Sequence, residues 1–352
     1  MRLCDIVGHK RLMALISRAI DRDTLPPTLL FAGPSGVGKW AVAHATAQAV
    51  NCLEPVRNRR EEPPSGTTAR TFVDNLLPID ACGKCRACDR IARGVHVDVI
   101  ALEPDERASI KIDLVRDLLS RTGYRPFEGK RRVVLIREAD ALEPEAQNSL
   151  LKSLEEPPPG TMFILTTAIP GALLPTVRSR CMRLRFGRLT APEVAAALVR
   201  DHGQSEADAR AAAPLADGSL GQALALSDTD LTALRDSALE LLQQTSGRAD
   251  TQARLQAATN LVGQKTRERD REELAVVLRI TASMLRDIEA INAGADPRVI
   301  ANPLLTSDLA ALARAFSGDR ARSAFGAVDR ALTALERNAG TKVVAEWLAV
   351  QI

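Results

Sequence analysis

The stretch GPSGVGKW, Gly33 to Trp40, limits the possible fold more than any other part of the chain. Phosphate-binding loops read G-x-x-x-x-G-K-[ST]. Glycine backbone amides cradle the phosphates, the lysine reaches the outer ones, and the terminal hydroxyl ligates Mg²⁺. Such a loop has to join a strand to a helix. PPTLLFA, Pro26 to Ala32, is a short apolar run ending at the loop, and the Ala-rich segment Ala41 to Val50 reads as the helix that follows. Four further runs have strand character: VDVIAL from Val97, VVLI from Val133, MFILTT from Met162 and the alternating MRLRF from Met182. Helical patterns separate several of them, which predicts an α/β domain with a largely parallel sheet covered by helices.

The loop departs from its pattern at the last position, where Trp40 replaces the metal-binding hydroxyl. Gly33, Gly36, Gly38 and Lys39 remain as candidate phosphate-holding residues. An ATPase also needs an acidic residue at the end of a neighbouring strand to hold Mg²⁺. The best candidate strand reads VVLIREAD, with Arg137 at that position and Glu138 after it. Two magnesium contacts are therefore missing, and hydrolysis by this chain is not expected. Two readings of the loop stand: a site that still holds ATP or ADP phosphates through Lys39 and the backbone amides, or a relic that only packs strand on helix.

CGKCRAC places Cys82, Cys85 and Cys88 in C-x-x-C-x-x-C spacing, with Cys52 upstream. Four thiolates make a closed, tetrahedral, structural Zn²⁺ site. Redox chemistry and unliganded thiols are the alternatives. Between Cys52 and this motif lies EPVRNRREEPPSGTTARTFVDNLLPID, rich in Pro, Arg, Glu and small polar residues. It reads as a mobile insertion over about 54–78.

PTVRSRC, Pro175 to Cys181, sets Arg178 and Arg180 just before a strand. Arginines at a sheet edge are usually solvated or paired with carboxylates; the sharper alternative is an arginine finger that reaches a neighbour's nucleotide. PEAQNSLLKSLEEPPPG is a short amphipathic helix, opened by Pro144 and stopped by three prolines, with Ala146, Leu150, Leu151 and Leu154 on one face. Thr190 and Glu193 have capping-box spacing, and only helical periodicities follow them. The residues are 45% hydrophobic but only 3% aromatic, so aliphatic side chains and Ala must build the cores, which favours helix.

No stretch is long and apolar enough for a membrane span, and no signal-peptide h-region opens the chain, so a cytoplasmic location is expected. A net charge of +3 over 352 residues argues against strong autonomous nucleic-acid binding.

Taken together, IVGHKRLMALISRAI, LLFAGPSGVGKW, CGKCRAC, HVDVI, VVLIREAD, LLKSLEEPP, SRC and GSLGQAL run in the order found in clamp-loader ATPases of the AAA+ class. This resemblance covers Asp5 to about Leu226. It implies a RecA-like AAA+ P-loop domain over 1–188 with an inserted zinc module at 52–88, a helical lid over 189–229 and an all-α oligomerisation collar over 230–352. It also implies a structural zinc on Cys52, Cys82, Cys85 and Cys88, and Arg180 acting in trans as an arginine finger. The family's active gamma/tau subunits keep a metal-binding hydroxyl, an Asp-Glu pair and an arginine in a G-S-x-R segment. Here those positions are Trp40, Arg137 with Glu138, and Gly221. The implied role is that of a non-hydrolysing subunit of the DNA polymerase III clamp loader. Its partners would be delta and gamma/tau subunits in a hetero-pentamer, with the sliding clamp and primed DNA reached through the complex. A working gamma-like ATPase with unusual metal ligation and a nucleotide-binding module without turnover are the rival readings.

Overall fold

The computed structural model describes residues 1–58, 77–105, 109–227, 231–247, 251–260, 267–296, 300–302, 305–336 and 339–352. The chain divides into two compact units. One comprises Met1–Ser205 and Asp217–Gln222, the other Glu206–Ala216 and Ala223–Ile352. Of the segment 54–78 expected to be mobile, residues 59–76 lie outside the described residues. Among the described residues no helix is long and apolar enough to cross a membrane.

The first unit opens with α1 (Lys10–Asp21), β1 (Thr28–Ala32) and α2 (Lys39–Asn51). A short antiparallel ribbon follows, β2 (Val56–Arg57) with β3 (Ile79–Asp80), then α3 (Arg86–Ala92), β4 (Val99–Leu102) and α4 (Ile112–Thr122). β5 (Arg132–Ile136), α5 (Pro144–Glu155), β6 (Thr161–Thr167), a helical turn at Pro175–Arg178, β7 (Met182–Arg185) and α6 (Ala191–His202) complete it. Five strands form one parallel sheet in the order β4-β5-β6-β1-β7. β1, β5 and β6 are buried along their whole length, as their near-continuous apolar sequences require of interior parallel strands. β7 lies at the edge and alternates, with Leu184 turned inward and its arginines exposed. The result is the expected α/β domain, a parallel sheet with helices on both faces and the glycine loop joining β1 to α2.

The period of two in the strands sends alternate side chains into two cores. Phe31, Val133, Leu135 and Ile164 pack with α1 and α2 on one face. Leu30, Val134, Ile136 and Leu165 pack with α4 and α5 on the other. On α5 the buried face is Ala146, Gln147, Leu150 and Leu154, while Leu151 is only half-buried. Gln147 takes the inward place because its amide is fully used: Nε2 donates to the Leu142 carbonyl at 3.0 Å, and Oε1 accepts from the Leu174 N–H at 2.7 Å. α6 begins with the Thr190–Glu193 capping box.

The second unit is helical throughout its described residues. α7 (Glu206–Ala212) is followed by α8 (Leu220–Ser227), whose start belongs to the first unit, then α9 (Leu231–Ser246), α10 (Thr251–Asn260), α11 (Arg267–Asn292), α12 (Thr306–Ala313), α13 (Asp319–Glu336) and α14 (Thr341–Gln351). The long α11 is the hub, packing against α9, α12, α13 and α14 and burying Leu274, Leu278, Leu285 and Ile288. Its Asp287 carboxylate accepts from the backbone N–H groups of Ala301 and Asn302 and from the Asn302 side-chain amide.

One buried ion pair organises the turn between α4 and β5. The Asp98 carboxylate accepts N–H groups of Phe127, Glu128 and Gly129 at 2.7–2.9 Å and pairs with Arg132 at 3.0 Å. Arg132 also donates to the carbonyls of Arg121, Tyr124 and Arg125. Burial pushes the Asp98 carboxyl up, but those N–H donors and Arg132 outweigh it and hold it below the usual carboxylate range. Removing one partner of a buried pair costs roughly 3–5 kcal/mol, so Asp98→Ala should lose about that much stability in urea unfolding. Because the folded-state value is depressed, the stabilisation is complete above the unfolded value of ~3.9 and is lost as pH falls through the folded one. The urea midpoint of wild type should therefore fall more steeply below about pH 4 than that of Asp98→Ala.

Candidate functional site

The parallel sheet brings the carboxyl ends of β1, β5 and β6 to one edge, and the glycine loop leaves β1 there. The Gly33 N–H donates to the Thr167 carbonyl at the end of β6, 3.2 Å away. A Cβ on Gly33 would lie 2.2 Å from the Phe186 carbonyl oxygen, so the chain leaving β7 demands glycine at that point. Gly36 has φ +72°, and a Cβ there would fall 2.1 Å from Ser219 Oγ. Its carbonyl accepts the Gly221 N–H at 3.2 Å. The segment Asp217–Gln222 is thus joined to the loop by a backbone hydrogen bond. Gly38, at φ +95°, caps the start of α2.

Lys39 is buried, and its ammonium turns back on the loop. Nζ donates to the Gly33 carbonyl at 2.7 Å and to the Pro34 carbonyl at 2.5 Å. Burial lowers its pKa, with Asp140 and Glu138 partly offsetting that. Three residues not singled out as site residues in the sequence complete the surroundings. His9, in left-handed backbone at the start of α1, has Nε2 3.0 Å from the Val37 carbonyl, which requires the proton on Nε2. Thr167 Oγ1 donates to Asp140 Oδ1 at 2.6 Å. Ser219 Oγ accepts from the Gln222 N–H and covers Gly36. Each is brought in by tertiary packing from a distant stretch of sequence.

Arg137 and Glu138 follow β5 at the same edge, with Arg137 stacked over the Trp40 indole and paired with Glu103. Arg180 lies at the opposite edge. Its carbonyl accepts from Thr28 Oγ1, at the amino end of β1, at 2.8 Å. Five residues of strand at ~3.3 Å each put about 16 Å between that point and Gly33. The guanidinium is turned onto its own subunit: Nε and Nη2 donate to Glu155 Oε2 at 3.2 and 3.1 Å, and Nη1 donates to the Thr176 carbonyl at 3.1 Å. Glu155, the last residue of α5, gave no signal in the sequence. Arg178 is exposed, with no partner among the described residues.

Cys52, Cys82, Cys85 and Cys88 converge, and their sulfurs all lie within 4.8 Å of one another. Cys52 directly follows α2, and Cys85 caps α3. The Cys52 and Cys85 sulfurs are 3.9 Å apart, close to the ~3.8 Å edge of a tetrahedron built on metal–sulfur bonds of ~2.3 Å. The Cys82 N–H donates to Cys52 Sγ and the Cys85 N–H to Cys82 Sγ, both at 3.2 Å, bonds that favour thiolate sulfur. Burial opposes the Cys85 thiolate, but N–H donors at Cys88 and Leu53 and the neighbouring thiols outweigh it, bringing its pKa down to about 6. Gln48 holds the Cys88 carbonyl and Lys130 the Cys52 carbonyl, so the frame is tied to α2 and β5. The donor set fits a tetrahedral metal ion.

The contact between Gly36 and Ser219 yields a stability test. Gly36→Ala adds a Cβ in left-handed backbone against Ser219 Oγ and should lose about 1–3 kcal/mol in denaturant unfolding. Ser219→Gly relieves that contact, so the double variant should lose less than the sum of the two single ones.

Comparison with known proteins places this geometry. The family described as DNA polymerase III, delta subunit, matches residues 8–190. DNA polymerase III subunit delta' of Pseudomonas aeruginosa is 37% identical over 155 residues, an alignment covering 44% of this chain and 41% of that protein. The tau subunit of Escherichia coli is 31% identical over 229 residues, 64% of this chain and 32% of its own length. The alignments therefore span only about a third to two fifths of these relatives. Among solved structures, a gamma subunit-related protein of Thermotoga maritima aligns over 97% of this chain and 98% of its own, with 14% identity and a TM-score of 0.44. With the family's match running through the glycine loop, the cysteine cluster and Arg180, and covering just over half of the 352 residues, the chain belongs to the DNA polymerase III delta subunit family.

Proposed function

We propose that this chain is a non-hydrolysing, delta-prime-type subunit of a DNA polymerase III clamp loader, and that it completes a neighbouring subunit's ATP site with Arg180. The observation that carries this reading is the separation of Arg180 from its own loop by the length of β1. An arginine fixed there is out of reach of phosphates held at Gly33–Lys39 and free to face a second subunit. Its bond to Glu155 is a partly exposed ion pair. Such pairs are worth about 1 kcal/mol or less, so exchanging Glu155 for a phosphate costs little.

In this reading residues 1–188 are the AAA+ domain, 189–229 the lid and 230–352 the oligomerisation collar. Delta and gamma/tau subunits are the partners in a hetero-pentamer, which loads the sliding clamp onto primed DNA in the cytoplasm. The delta' and tau relatives support the assignment through their own membership of DNA polymerase III. The loop serves mainly to hold β1 on α2, with Lys39 stitching it shut. Zinc on Cys52, Cys82, Cys85 and Cys88 closes the small module between α2 and β4, a structural ion with no open position for chemistry.

Two measurements test these assignments. Steady-state ATP hydrolysis should be absent for the isolated chain and present in the mixture with gamma/tau, delta, clamp and primed DNA. At the site it completes, Arg180→Ala should lower the rate by on the order of 10³. Arg180→Lys should not recover it, because lysine lacks the planar fork. Equal rates for Arg180→Lys and wild type would contradict the finger role. Atomic spectroscopy of freshly purified protein should find about one zinc per chain, and a content near zero would remove the zinc assignment.

A further inference from the structure

The place where a phosphate loop of this class holds its magnesium is filled by one packed unit, Trp40, His44, Glu103 and Arg137. Arg137 is anchored at the end of β5 by its backbone N–H, which donates to the Leu102 carbonyl at 2.9 Å. Its guanidinium carbon lies 5.8 Å from the Trp40 ring centroid. Nη1 donates to Glu103 Oε2 at 2.8 Å, and Nε lies 3.5 Å from Glu138 Oε1. Trp40 also meets His44, one helical turn along α2, edge-on with ring centroids 4.8 Å apart. The indole thus touches a cation from the end of β5 and an imidazole from its own helix.

Magnesium does not fit this arrangement. It requires near-octahedral oxygen ligands at 2.0–2.1 Å. Here the hydroxyl position carries an indole and the acidic position a guanidinium, while Glu103 and Glu138 are turned onto that guanidinium and Asp140 accepts from Thr167 and the Ala168 N–H. The two departures also support each other. Arg137 is braced by Glu103 and lies over the indole as well, which adds to its hold at the loop. Trp40 in turn packs against the core beneath α1 and α2 and meets both His44 and Arg137.

We propose that Trp40 and Arg137 act jointly as a plug that excludes a divalent cation from this loop, so that both must change before a metal can enter. Replacing Trp40 alone leaves the guanidinium, braced by Glu103, as a fixed positive charge at the metal position. Replacing Arg137 alone leaves the indole without an oxygen to offer. The double change Trp40→Thr with Arg137→Asp restores both oxygen ligands at once. This inference rests on the proposed reading of the chain as a non-hydrolysing subunit.

The test uses the full chain and Mn²⁺ as the probe ion, with ATP affinity measured by calorimetry in Mn²⁺ and in EDTA. Wild type, Trp40→Thr and Arg137→Asp should show no gain in ATP affinity from Mn²⁺. The double variant should gain tenfold or more. Metal-dependent affinity in wild type or in either single variant, or its absence in a double variant whose circular dichroism shows it folded, would overturn the proposal. If the double variant does not fold, emission from Trp40 in a Trp347→Phe chain decides the matter. It should be unchanged by Mn²⁺ with ATP, whereas paramagnetic quenching would put the ion beside the indole and refute the plug. The isolated chain suffices for these titrations, so their failure leaves the role of Arg180 untouched, and failure of the mixed ATPase assay leaves the plug untouched.

Discussion

The arrangement of functional groups depends on β1 lying inside a sheet whose strands all run the same way. Parallel pairing forces every carboxyl end to one edge, so the glycine loop, Arg137 with Glu138, and Thr167 gather there from three separate strands. The same constraint sends the turn before β7, and with it Arg180, to the opposite edge. A chain of this topology therefore carries two separate polar regions, one at its own loop and one facing away from it. Reversing a single strand would mix them, so the separation of the two regions follows directly from the sheet.

At the loop edge, burial and charge act together on three side chains. The Lys39 ammonium is taken out of water and uses two carbonyls of its own loop in place of phosphate oxygens. Asp140 is occupied by Thr167 and the Ala168 N–H. Arg137 is occupied by Glu103 and Trp40. The Gly221–Gly36 backbone bond adds a contact that no side chain at 221 mediates. The side chains Lys39, Asp140 and Arg137 at this edge thus all have partners within the protein, which offsets the cost of taking them out of water.

The cysteine module shows the same economy in a small core. With Cys52, Ala81 and Cys88 at its centre, it buries too little apolar surface to hold itself together. Bonds from Gln48 and Lys130 tie it to the sheet domain, and Arg86 and Arg90 of α3 reach Glu128 in the turn organised by Asp98. A four-thiolate ion would close the remaining gap, since the sulfurs already stand near tetrahedral spacing.

Much of this was legible in the residue order. The strand–loop–helix unit at Gly33, the four later strands, the Pro144 helix and the Thr190 capping box follow from periodicity and local backbone preference, which act over a few residues. The departures from the loop pattern were legible too, since Trp40 and Arg137 stand where that pattern carries oxygen ligands. Sequence spacing alone left Arg178 and Arg180 equivalent, while Cys52, offered as the upstream fourth thiol, does join the other three cysteines. Spacing did not disclose that Gln147 replaces Leu151 in the core, that Glu155 holds Arg180, or that Trp40 and Arg137 touch. Those were decided by tertiary structure, since each joins residues far apart in the chain, or weighs one hydrogen bond against one apolar contact, through a packing that only the assembled sheet creates.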